Sequence, residues 1–303
     1  MRLSLVFMLD IIDIASGKGE PLDPLILGVI SSASVAPVRH DDRLEQAYAT
    51  VDAPPPDEVR RPVSISAVAR SARLPFETVR RRIAHLAEAG HCEITPRGVV
   101  QSAAAVTHPG YLAQAMARYE RLKQLYFDMR RAGTLPVERR LAPLSLDGPP
   151  VRIANRIIGE YTLRVADVLI RRVGDPVRGV LLLEIARTNG EHLDAVAFEP
   201  GRPLPDDERR PVTIAALAAR TCTPYETVRR NVQALINRGL VRRVKGGVIV
   251  DPSKIDETGG HETARESARN LTRLFARLEQ LGVLDWWDAE AAEAETPARA
   301  KRA

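Results

Sequence analysis

One 42-residue block occurs twice in this chain. Residues 60–101 read RRPVSISAVARSARLPFETVRRRIAHLAEAGHCEITPRGVVQ, and residues 209–250 read RRPVTIAALAARTCTPYETVRRNVQALINRGLVRRVKGGVIV. The two align without a gap at an offset of 149, with 17 of 42 positions identical. A self-match of this length means that one structural unit is built twice. The same offset continues downstream, where Leu122, Leu125, Tyr126, Met129, Gly133 and Leu135 meet Leu271, Leu274, Phe275, Leu278, Gly282 and Leu284. Upstream, Asp23-Pro24 resembles Asp175-Pro176 at an offset of 152. The 303 residues therefore divide into two units, each of about 125 residues, an ordinary domain size.

Proline and glycine mark the joints. The runs at 53–57 and 199–205 precede the two blocks and read as exposed loops, because their prolines exclude helix and central strand. A linker is expected over 136–152, with a first unit at 1–135 and a second at 153–287. After Trp287 the Ala/Glu/Arg-rich stretch 288–303 reads as a disordered tail.

Within each block the periodicity is helical, then extended. Ser64 and Thr213 stand as N-caps of a short helix. Ile65, Val68 and Ala69 share one face of it, as do Ile214, Leu217 and Ala218. A break at Arg73-Leu74-Pro75, or Cys222-Thr223-Pro224, precedes a second helix with the buried stripe Val79, Ile83, Leu86 or Val228, Val232, Leu235. Gly90 and Gly239 stop it. A strand–turn–strand pattern follows, and Gly246-Gly247 suits a two-residue turn. The expected units are thus a helix-turn-helix at 62–90 with a wing at 91–101 and a long helix at 109–132, then 211–239, 240–250 and 262–282. Aromatics are 4% of the chain, so the cores are aliphatic. The fold class expected is mainly α with small β-wings: two tandem winged helix-turn-helix units flanked by long packing helices, with pseudo-two-fold symmetry.

The block resembles the winged helix-turn-helix of bacterial transcription regulators. The residues that carry the likeness are Ile65, Ser66, Val68, Ala69, Leu74, Thr78, Val79, Arg81 and Ile83, and Ile214, Leu217, Ala218, Thr227, Val228, Arg230 and Val232. Both copies lack the glycine usual at the turn, where Arg73 and Cys222 stand. With the flanking helices each unit is similar to a MarR-type subunit, whose terminal helices form a dimer interface. The resemblance implies a fused dimer that binds double-stranded DNA.

Charge agrees with that expectation. The whole chain is +5, but residues 60–90 carry +5 and residues 209–245 carry +8, leaving −8 on the rest. A polyanion partner requires such localisation. By helix phase, Phe76, Glu77, Arg80 and Arg81, and Tyr225, Glu226, Arg229 and Arg230, face outward and are the candidate base readers. Arginine suits guanine, and a carboxylate can accept from the cytosine amine. Glu77 and Glu226 can alternatively pair with arginines on their own helix. Arg60, Arg61, Thr78, Arg209, Arg210 and Thr227 are expected at phosphates. Arg97, and Arg242, Arg243 and Lys245, sit on the wings. The more basic second wing suggests tighter binding by the second half. Phe76 opposite Tyr225, Arg82 opposite Asn231 and the unlike wings suggest an imperfect inverted repeat as target.

The long helices at 109–132 and 262–282 are expected to pair with each other, with 25–36 and 165–185 completing the interface. Trp286 and Trp287 can anchor a further self-association or cap the core. Two cysteines, Cys92 and Cys222, cannot build a disulfide framework and point to a reducing compartment. No apolar run reaches the ~18 residues of a membrane span. Asp10 and Asp13 end the apolar stretch at 3–9, which argues against a signal peptide. A cytoplasmic, nucleoid-associated protein is expected. The histidines show no paired metal spacing, and no Walker loop, nucleophile elbow or dinucleotide turn is present. No catalytic residue, cofactor or metal is assigned, and any small-molecule effector is left open. The competing functional classes are a nucleoid organiser, which binds DNA without sequence preference, and a plasmid-type replication initiator.

Overall fold

Local sequence dictates the first elements directly. The Ser64 hydroxyl accepts from Ala67 N–H at 3.2 Å and the Thr213 hydroxyl accepts from Ala216 N–H at 3.1 Å, so both copies of the block open on the same helix cap. The computed structural model describes residues 2–17, 22–138, 146–193, 204–251 and 260–300, the side chains of 295–300 excepted. The chain runs α1 (Arg2–Ser16), α2 (Leu22–Ser34), α3 (Ala36–Arg39), α4 (Asp42–Ala47), a 3-10 turn (Asp57–Val59), α5 (Ile65–Ala72), α6 (Phe76–Glu88), β1 (Glu93–Thr95), β2 (Gly98–Val100), α7 (Ala103–Thr107) and α8 (Pro109–Arg131). It continues α9 (Val151–Val173), α10 (Pro176–Gly190), α11 (Ile214–Arg220), α12 (Tyr225–Asn237), β3 (Val241–Val244), β4 (Gly247–Val250), α13 (Gly260–Gln280) and α14 (Val283–Ala300). The described residues are mainly helical, with two antiparallel two-stranded sheets among them.

The turn between the paired short helices is left-handed in both copies. Arg73 has φ 52° and Cys222 φ 47°, at the position where glycine is the cheaper residue. Arg73 is held there by an ion pair to Asp167 of α9 at 2.9 Å. Cys222 is exposed. Cys222→Gly is therefore expected to raise stability by about 0.5–1 kcal/mol, read as a higher midpoint in urea; a lower midpoint would show that the turn is not strained.

The hairpins pair Glu93 with Val100 through Thr95 with Gly98, and Val241 with Val250 through Val244 with Gly247. The two-residue loops are thus Pro96-Arg97 and Lys245-Gly246; Gly247 begins β4 rather than completing a Gly246-Gly247 turn. Each hairpin is joined by one residue before the first short helix, Val63 bridging Val99 and Val212 bridging Val248.

A polar latch, also duplicated, fixes each block to the helix before it. The Ser34 hydroxyl accepts from Gln101 N–H, and the Asn189 side-chain oxygen accepts from Val250 N–H. The backbone oxygens of Ser34 and Asn189 accept from Arg61 and Arg210 N–H. Ser34 and Asn189 are both buried, so these bonds satisfy groups that water cannot reach.

Three apolar cores result. One joins Ile26, Val29 and Ile30 of α2 to Val68, Val79, Ile83 and Leu86. Its counterpart joins Leu181 and Ile185 of α10 to Leu217, Val228, Val232 and Leu235. The third, between them, is shared by α1, α8, α9, α13 and α14. Each of the sequence units at 1–135 and 153–287 thus has a core of its own and shares the third with the other. Cross-packing is reciprocal: α1 lies on α10, and α2 lies on α9.

Several expectations on the long helices change. Tyr126 does reach Phe275, ring centroids 6.4 Å apart, but α8 packs chiefly on α1 and α9, and α13 on α9 and α14. A five-helix core offers more apolar area than one helix pair. Met116 on α8 is exposed. The stretch 165–185 spans two helices: Gly174, at φ +80°, ends α9, and Asp175 caps α10. The expected disordered tail from 288 is helical to Ala300, since alanine and glutamate favour helix and the tryptophans anchor its first turn. Residues 301–303 lie outside the described residues. So do 139–145 of the linker and all of the 199–205 loop but Leu204 and Pro205.

Candidate nucleic-acid interface

The second helix of each block presents the candidate readers. Val79 and Val228 are buried and turn the opposite face outward. There the structure brings together Phe76, Glu77, Arg80 and Arg81, all exposed, and Tyr225, Glu226, Arg229 and Arg230, all exposed. Phe76 is 44% and Tyr225 50% exposed.

Glutamate and arginine pair in the same way in both copies. Arg80 Nε donates to Glu77 Oε2 at 2.9 Å, and Arg229 Nε donates to Glu226 Oε2 at 2.9 Å. The hydrogen bond from Arg229 holds the Glu226 carboxyl below its ordinary range, and Glu226 in turn raises Arg229. Arg81 and Arg230 have no ion pair among the described residues. Thr78 and Thr227 are half-buried beside them.

Two residues expected at phosphates face inward instead. Arg60 is 6% exposed; it donates twice to Pro55 O and once to Gln101 O, and pairs with Asp57 at 3.3 Å. Arg209 donates twice to Leu204 O and pairs with Asp206 at 3.4 Å. Both guanidiniums satisfy carbonyls of irregular backbone, and burial lowers both from the ordinary arginine value. Their repetition marks a structural clamp. The neighbours Arg61 and Arg210 are exposed and have no ion pair among the described residues.

The two hairpins are less unequal in charge than the sequence suggests. Arg242 is held by Asp206 and Arg243 donates to Gln233. Lys245 at the second loop and Arg97 at the first are exposed, each without an ion pair among the described residues. One uncommitted cation therefore stands at each hairpin tip.

Arg82 and Asn231 also turn away from the exposed face that carries the candidate readers. Arg82 Nη1 donates to Asp23 of α2 at 3.1 Å, and Asn231 accepts from Arg178 Nε of α10 at 3.1 Å. They are two versions of one link between the block and its supporting helix. Sequence reasoning missed that link and the Ser34/Asn189 latch, because their partners lie outside the gapless alignment.

The cysteines differ. Cys92 is buried, and burial together with Glu93 pushes its thiol up to about 11, away from the thiolate form that reacts. Among the described residues no group of three or more His, Cys, Asp or Glu side chains could hold a metal, and no helix is long and apolar enough to cross a membrane. No family model, curated protein or solved structure matches this chain.

Proposed function

We propose that this protein is a double-stranded DNA-binding transcription regulator, in which two winged helix-turn-helix units on one chain act as a fused pseudo-dimer. The observation that carries the reading is the repetition of one exposed basic helix face, set in the same local frame of cap, left-handed turn and bridged hairpin. α6 and α12 serve as the recognition helices, with their N-terminal turns toward base edges in the major groove. Arg81 and Arg230 reach base edges or phosphates, while Arg61, Arg210, Arg97 and Lys245 neutralise backbone. The reciprocal packing of α1 on α10 and α2 on α9 supports a pseudo-two-fold relation between the halves, and hence an inverted repeat as target. Half-site centres about 34–36 Å apart suit successive major grooves.

Binding of a labelled duplex pool by the full chain tests this. Replacing both Arg81 and Arg230 by alanine is expected to weaken binding on the order of tenfold to hundredfold per residue. Replacing Arg61 and Arg210 is expected to reduce the salt slope by about one unit each. The reading fails if no duplex binds even at low salt. Binding with a steep salt slope and no sequence preference would favour the nucleoid organiser.

A further inference from the structure

The duplication lets each reading helix serve as a control for the other, and the outcome departs from the sequence expectation of two unlike half-sites. We infer that both halves read the same base word, and that each Glu–Arg pair, Glu77–Arg80 and Glu226–Arg229, selects a C·G base pair within it. The inference rests on the DNA-binding reading above.

The differences between α6 and α12 fall largely outside the exposed N-terminal face. Of the positions facing outward in the first two turns, Glu77, Arg80 and Arg81 are matched by Glu226, Arg229 and Arg230. Phe76 and Tyr225 differ by one hydroxyl and are similarly exposed. The Arg82/Asn231 difference is turned to the supporting helices, as shown by the Asp23 and Arg178 bonds. The next outward difference is Ala84 against Gln233, and Gln233 is spent within its own unit, donating to Asn237 and accepting from Arg243. The remaining differences, His85, Glu88 and their counterparts Ala234 and Asn237, lie in the last turns, away from the N-terminal end that meets base edges. The wings add one uncommitted cation each. Nothing in the N-terminal turns distinguishes the two halves beyond a phenol hydroxyl.

The chemistry of the shared face then narrows the word. A carboxylate facing a polyanion costs free energy unless it finds a donor. Glu77 and Glu226 are retained there in both copies, each hydrogen-bonded to an arginine one turn on. A guanidinium beside a carboxylate presents donors and an acceptor together. Guanine offers the acceptors O6 and N7, and cytosine the N4 amine. An A·T pair suits the Glu–Arg pair less well: adenine N6 can donate to the carboxylate, but it separates adenine N7 from thymine O4, so the arginine finds no adjacent acceptors like guanine O6 and N7. The pair, already formed without DNA, needs little reordering to read C·G.

Selection of randomised duplexes on the full chain at about 150 mM salt, followed by sequencing, tests the inference under conditions where specific binding still competes with the non-specific kind. The expected result is two copies of one word, each with a C·G pair at the same place. Arg80→Ala is expected to reduce discrimination at that pair at least tenfold in one copy only, and Arg229→Ala in the other. Glu77→Gln with Glu226→Gln is expected to lower discrimination for cytosine in both copies, about tenfold. These positions are exposed, so far-UV circular dichroism should match the parent. Two unlike words, a shared word lacking the C·G pair, or duplex binding with no enriched word each overturns the inference while leaving DNA binding in place. Absence of any duplex binding overturns the DNA reading itself.

Discussion

Gly247→Ala is expected to cost about 3–5 kcal/mol of stability, the sum of backbone strain of roughly 1–3 kcal/mol and two bridge hydrogen bonds of about 1 kcal/mol each. A Cβ at Gly247 would stand 2.3 Å from Val212 O and 2.6 Å from its carbonyl carbon, and the residue sits at φ +150°. Val212 cannot retreat cheaply. Its N–H donates to Val248 O at 3.1 Å and its oxygen accepts from Val248 N–H at 2.9 Å, so movement breaks the link that fastens the hairpin to the block. Gly98→Ala is expected to act alike, with Val63 O at 2.5 Å and φ +128°. Gly90→Ala is the control. It has φ +77° but nothing within 4 Å of the added carbon, so it carries only the left-handed penalty of about 1 kcal/mol. Urea unfolding of the three variants separates close approach from backbone angle. Equal losses at positions 90, 98 and 247 would show that the bridges do not constrain the hairpins.

The same glycines show what sequence can and cannot reveal. Gly98 and Gly247 align within the repeat, so their importance was legible; the reason was not. Positive φ follows from a turn pattern, but the close approach depends on Val63 and Val212, residues that precede the helices and look like linker. Caps and inward stripes were legible because they are local: Ser64, Val79 and Ile83 need only their own helix. Arg60 and Arg209 misled because arginine repeated beside a basic block is read as surface charge. Whether a guanidinium meets phosphate or a loop carbonyl depends on the path of the backbone five residues earlier, at Pro55 and Leu204. The packing of the long helices was illegible for a related reason. An apolar stripe shows that a helix must be covered but not by which neighbour, and α8 is covered by α1 and α9 before α13.

The last helix carries the other large effect. Trp287→Ala is expected to destabilise the protein by about 3–5 kcal/mol, the range for removing a fully buried aromatic side chain. Trp287 is completely enclosed, edge-on to Tyr119 with ring centroids 5.8 Å apart and 5.6 Å from the Tyr126 ring. Its indole N–H donates to the Tyr119 hydroxyl at 2.8 Å, and burial pushes that phenol above its ordinary range. Trp287→Phe keeps most of the area and loses the hydrogen bond, so a smaller cost of about 1–2 kcal/mol is expected. Trp286 is only partly buried, and its indole nitrogen has no partner among the described residues; Trp286→Ala is expected to cost about 1 kcal/mol. Far-UV circular dichroism in urea reads all three without relying on tryptophan emission. Asp288 accepts from the Tyr126 hydroxyl at 2.9 Å, and Glu290 pairs with Lys123 at 2.9 Å, so α14 closes the helical core against α8, in the opposite half. That core is where the two repeated units join, and loosening it should disturb the relation of α6 to α12 while leaving each helix intact. Trp287→Ala is accordingly expected to weaken binding to a two-half-site duplex more than to a single half-site. Equal effects on both duplexes would show that the core does not set the relation between α6 and α12.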